Sequence, residues 1–120
     1  MQELVDRLVS RTGVTAPMAR AAVGIIFDFL RKEAPADKMQ VLLDKVPGAA
    51  DLAAEQSSGQ PGAFGTGGIM GAANRLMSVG LSMQQVQSVA REVLAYAREQ
   101  AGKDAVGDVV GAIPGLGQFV

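Results

Sequence analysis

A chain of 120 residues is long enough to bury a hydrophobic core without cross-links. It contains no cysteine, which excludes disulfides and thiolate metal sites, and no histidine, which removes the commonest metal ligand and the usual acid–base side chain near neutral pH. With a net charge of -1 and no basic stripe interleaved with aromatics, the composition argues against a nucleic-acid partner and implies no cofactor.

The chain opens with a short helix through Leu4, Val5, Leu8 and Val9, stopped at Thr12-Gly13, where glycine can take the left-handed geometry of a C-terminal cap. Thr15 caps the next helix, and Pro17 suits its first turn, where no intrahelical N–H is required. Met18, Ala22, Ile25, Ile26, Phe29 and Leu30 recur at three- and four-residue spacing and give this long helix a wide apolar face. Ala34-Pro35 ends it, because proline disfavours helical geometry in the residue before it. Asp37 suits the start of a third helix, whose stripe is Met39, Leu42, Leu43 and Val46 and whose stop is Pro47-Gly48.

From Ala53 to Gly68 the sequence is rich in Gly, Ser, Gln and Pro and has no helical or alternating period, which reads as a flexible linker. Phe64 is its only large apolar residue, placed either to pin the linker to the surface or to contact a partner. Beyond it Ile69, Ala72, Ala73, Leu76 and Met77 predict a short helix ending at Gly80, and Ser82-Met83-Gln84-Gln85 has the form of a capping box. Leu81 and Val86 could close a hydrophobic staple around that box. Val86, Val89, Val93, Leu94 and Ala97 form the stripe of a second long helix, with Tyr96 at its margin; Val106, Val109, Val110 and Ile113 then repeat the third-helix template.

The halves thus share one order of caps, stripes and stops. Arg7-Leu8-Val9-Ser10 aligns with Arg75-Leu76-Met77-Ser78, and after a one-residue slip Gly13-Val14-Thr15 falls on Gly80-Leu81-Ser82. The same register carries Phe29 onto Tyr96, Arg31 onto Arg98 and Val46-Pro47-Gly48 onto Ile113-Pro114-Gly115. The expected fold is all-α: two pseudo-symmetric three-helix units, 1–52 and 69–120, joined by linker 53–68 and sharing one core in a single helical domain.

Motifs for chemistry are thin. The glycines from Gly62 to Gly71 precede a helix, but Met70 stands where a dinucleotide fingerprint opened at Gly65 needs its last glycine, and no strand pattern precedes them. Asp28, Glu33, Asp37, Asp44, Glu92, Glu99, Asp104 and Asp108 are scattered; Asp28 beside Arg31-Lys32 reads as part of a solvated helix face. The serines lack a histidine to activate them, so no enzyme activity is expected. Arg31 and Arg98 occupy matching places and read either as a pair of anion clamps or, better, as partners of neighbouring acids.

Apolar features outside the stripes point instead to contact with other molecules. Met70, Met77 and Met83 gather around the start of the second unit, and methionine surfaces accept varied apolar partners, although packing in the core explains the same residues. The tail from Val109 to Val120, with Leu116 and Phe119, is apolar enough that it must dock on its own core, on a second subunit or on an apolar ligand. Phe64, Met70, Met77, Met83, Leu116 and Phe119 are therefore the candidate interaction residues.

Neither a secretory leader nor an apolar run of the roughly 20 residues needed to span a bilayer is evident, so a cytoplasmic protein is expected. At Gly80-Leu81-Ser82 and at the two Pro-Gly stops the chain resembles the VcgC/VcgE-type family of small bacterial domains of unknown function. That resemblance covers most of the chain and implies a bacterial all-helical protein, without bringing an activity or a functional residue. The resulting expectation is a non-enzymatic interaction or scaffolding domain that self-associates or binds another protein. The alternative is a binder of a small apolar ligand or lipid, held between the two units.

Overall fold

The computed structural model describes residues 2–57 and 68–113, with side chains described throughout except at 56, 57 and 68–70. Every regular element among these residues is a helix: α1 (Gln2–Thr12), α2 (Ala16–Glu33), α3 (Ala36–Lys45), α4 (Ala49–Ser57), α5 (Gly68–Val79), α6 (Met83–Ala101) and α7 (Lys103–Ala112). Among the described residues no single helix is long and apolar enough to cross a membrane.

The punctuation seen in the sequence sets the boundaries. Gly13 (φ 78°) and Gly80 (φ 121°) take the positive φ that ends α1 and α5. Two residues later Thr15 and Ser82 each accept a backbone N–H with the side chain, Thr15 from Met18 and Ser82 from Gln85. At Ser82 the box is complete, because the Gln85 side chain accepts from the Ser82 N–H at 3.0 Å. Spacing agrees as well: α2, α3, α6 and α7 begin at 16, 36, 83 and 103, so each later start lies 67 residues after its match, and α3 and α7 end at 45 and 112 with the same offset.

One departure concerns the proposed linker. Residues 53–57 are not its start but the second half of α4, which opens after Gly48 (φ 89°). The first half of the chain therefore carries a fourth helix, which runs to Ser57. α4 has only Leu52 as a large apolar residue, so it shows no stripe; alanine propensity and packing make it helical instead. Leu52, Ala49 and Ala53 are buried, and the most extensive contact among the described helices is α4 against α2.

α2 is consequently the central helix. Every residue from Ala22 to Leu30 is buried, as expected of a helix surrounded on several sides. α4 and α5 pack on it most closely, with α1, α6 and α3 completing the surround. In the other half α6 receives α1 and α7, and α3 packs on α7. Thus α1 lies against the long helix of the opposite half, and so does α5. The stripes Met39, Leu42 and Val46 and Val106, Val109 and Ile113 all join the one core.

Candidate functional site

Three places concentrate side chains with chemical or binding potential. The first is the junction between α5 and α6. The end of α1, the starts of α2 and α6 and the end of α5 meet there: Gln85 donates its Nε2 to the Thr12 carbonyl at 3.2 Å, and the Met18 methyl of α2 lies 3.3 Å from where a side chain on Gly80 would begin. Met77, in the last turn of α5, is 38% exposed, and Met83, the first residue of α6, is 43% exposed. They are two of the four exposed large apolar side chains among the described residues; the others, Val9 and Val41, lie on α1 and α3. Two exposed, pliable methionines thus flank a turn held by caps on either side.

A second place is the seam between α1 and α6. Arg7 forms a two-pronged bond with Glu99, Nη2 to Oε1 at 2.9 Å and Nη1 to Oε2 at 3.0 Å, while its guanidinium sits 5.6 Å from the Tyr96 ring centre. Arg11 pairs with Glu92 one to two turns along the same seam. The Arg7 hydrogen bond holds the Glu99 carboxyl below its ordinary pKa, and burial pushes the Tyr96 phenol up. Tyr96 is buried rather than marginal, its ring covered by Arg7.

The third place overturns a reading of the sequence. Asp28 belongs to no solvated face: it is fully buried, the sole buried charged residue among those described. Arg31 Nη2 donates to its Oδ1 at 2.8 Å, while Lys32 Nζ and Arg75 Nη1 reach Oδ2 at 3.1 and 3.0 Å. Burial alone would raise the Asp28 pKa; the hydrogen bonds from Lys32, Arg75 and Arg31 outweigh it and hold the carboxyl below its ordinary value. Arg75 comes from α5, so this buried ion cluster also fastens α5 to α2. Of its neighbouring acids Arg31 takes Asp28 as partner.

Among the candidate interaction residues, the structure brings Met77 and Met83 to one junction. Met70 lies in the first turn of α5, with its side chain outside the description, and Phe64, Leu116 and Phe119 lie outside the described residues. The sequence reading did not bring Met18 to this junction, where it approaches Gly80, and misread Asp28 as solvated. A usable signal for Asp28 was present: it is a lone acid inside Ile25-Ile26-Phe27-Asp28-Phe29-Leu30, with cations at i+3 and i+4. No group of three or more acidic side chains gathers as a metal site among the described residues.

Comparison with protein-family models, curated proteins and solved structures finds no match. The likeness to the VcgC/VcgE-type family therefore rests on the caps and stops alone.

Proposed function

We propose that this protein is a non-enzymatic interaction module that self-associates through the α5–α6 junction, with Met77 and Met83 as the contact and Met18 as their support. The observation that carries this reading is the exposure of both methionines beside a capped, backbone-tied helix junction. Pliable thioether side chains on a fixed frame adapt to an apolar partner surface while the frame loses little freedom on binding. A second copy presents the same patch, and two such patches meeting about a two-fold axis give a self-complementary contact.

The non-catalytic part of the reading is supported by the chemistry of Asp28. A carboxyl acting as general acid near neutral pH needs its pKa raised, and the one buried here has it lowered by three cations. We further propose that the chain arose by internal duplication, with α1–α3 and α5–α7 as the copies and α4 as an addition to the first. The shared offset of 67 residues in helix starts and the paired caps at Thr15 and Ser82 support it. So does the reciprocal docking of α1 on α6 and of α5 on α2.

Light scattering over a concentration series tests the self-association. The wild-type protein should pass from monomer to dimer, and Met77→Lys/Met83→Lys should remain monomeric with a stability within about 0.5 kcal/mol of wild type, as expected of exposed positions. A strictly monomeric wild type, or a variant that dimerises equally well, would refute the assignment.

A further inference from the structure

Sulfur in this chain is carried by methionine alone, since there are six methionines and no cysteine. Their access to solvent differs sharply. Met39 is fully buried and Met18 is half-buried against the core, whereas Met77 and Met83 are 38% and 43% exposed on either side of the α5–α6 turn. The other two exposed large apolar side chains among the described residues are valines, which have no thioether to oxidise.

The first half shows that apolar exposure at such a turn does not require sulfur. Val9 holds in α1 the place of Met77 in α5 and is exposed to the same degree, while Ala16 opens α2 where Met83 opens α6. Two matching turns therefore share their caps, and only the second is flanked by exposed thioethers. The bonds that hold this second turn run between Ser82 and Gln85 and from Gln85 to the Thr12 carbonyl, and none of them uses a methionine side chain. A change at either Sδ thus alters the surface and leaves the frame in place.

We propose that Met77 and Met83 are modification sites through which peroxide controls self-association: oxidation of either thioether to the sulfoxide shifts the protein towards monomer, and reduction restores the dimer. This rests on the reading of the α5–α6 junction as the dimer contact. Hydrogen peroxide delivers one oxygen to Sδ; the O–O bond breaks as the S–O bond forms, sulfur gives up two electrons, and the second oxygen leaves with both hydrogens as water. In the reverse step a dithiol returns two electrons to sulfur and becomes a disulfide, and the oxygen leaves as water. Oxidation turns a flexible apolar side chain into a polar one. Burying that group against an apolar partner without a hydrogen bond weakens the contact at least about tenfold. About a two-fold axis both copies contribute the same residues, so one oxidation per chain places two sulfoxides in the contact. The dimer in turn covers the sulfur atoms, so association slows their oxidation.

The test treats the full chain with hydrogen peroxide, maps oxidation at each methionine by peptide mass spectrometry and follows the oligomer by light scattering. In dilute protein Met77 and Met83 should oxidise before Met18 and Met39, and more slowly as concentration rises into the dimer range. The oxidised protein should dimerise at least about tenfold more weakly, keep its Tm in dilute solution, and regain the dimer when treated with both methionine sulfoxide reductases and dithiothreitol. Met77→Leu/Met83→Leu keeps an apolar contact without the reactive sulfur, so peroxide should leave its dimer intact. Wild type that dimerises before treatment, and equally well once Met77 and Met83 are mapped as oxidised, overturns the peroxide control and leaves the contact standing. The same holds if peroxide dissolves the leucine variant's dimer, or if Met39 oxidises first. Untreated wild type that never dimerises overturns the contact and the control together.

Discussion

The two long helices start from matching caps and carry matching stripes, yet α2 is buried on all sides along Ala22 to Leu30 whereas α6 keeps Arg91, Arg98 and Glu99 exposed. The difference lies in what covers them. α2 carries α4, for which α6 has no counterpart among the described residues, and it also receives α5. Similar local sequence signals therefore produced a core helix in one half and an amphipathic surface helix in the other, and the buried charge followed the deeper burial. Asp28 sits in the buried helix, and the matching residue of α6 is Ala95, which needs no counter-ion.

Truncating matched core positions breaks this comparison most strongly. Phe27 and Leu94 are 67 residues apart and both are almost completely buried. Phe27→Ala should destabilise by about 3–5 kcal/mol and Leu94→Ala by somewhat less within the 2–5 kcal/mol range, because a larger void opens in the helix that has more neighbours. Urea unfolding of both variants gives the comparison; a larger loss at Leu94 would contradict the central place assigned to α2.

Asp28→Asn comes next. It leaves three cations clustered around a neutral amide, and their partial exposure lets water screen some of the penalty, so the expected loss is about 2 kcal/mol. Its pH dependence has a definite sign. The folded pKa of Asp28 lies below the unfolded value of about 3.9, so its contribution is fully present above that pH and disappears as pH falls through the folded pKa. Stability curves for wild type and Asp28→Asn should run parallel near neutrality and converge in acid; parallel curves throughout would contradict the role given to this carboxylate.

Smaller effects sharpen the match between the two turns. Alanine at Gly13 meets open space and suffers only the positive φ, about 1 kcal/mol, whereas alanine at Gly80 has both φ 121° and the Met18 methyl at 3.3 Å against it. Gly80→Ala should therefore cost more in thermal unfolding, and equal losses would show that Met18 yields freely. At the caps, Ser82→Ala removes half of a reciprocal box and should cost about 1 kcal/mol; Thr15→Ala, which loses a single 3.3 Å bond, should cost less.

How far the sequence revealed all this depended on how local each signal was. The caps at Thr15 and Ser82, the stops at Gly13 and Gly80 and the stripes of α3 and α7 are decided within a few residues, and the structure has each of them in place. α4 was illegible because an alanine-rich segment with one leucine has no periodicity until α2 packs against it. Asp28 was misread for a related reason. Its neighbours Arg31 and Lys32 resemble a surface face, while the residue that fixes its role, Arg75, lies 47 positions away. At the α5–α6 junction, Met77 and Met83 were legible as candidates, and Met18 was not, since only the tertiary fold brings α2 to Gly80.

The account turns on the α5–α6 junction being a contact surface, and residue-resolved amide spectra recorded from dilute to concentrated protein examine that most directly. Resonances of residues 77–83 and of Met18 should move together and saturate as dimer forms, with Val41 on α3 unmoved. Spectra that do not change with concentration, or changes centred on α3, would contradict it.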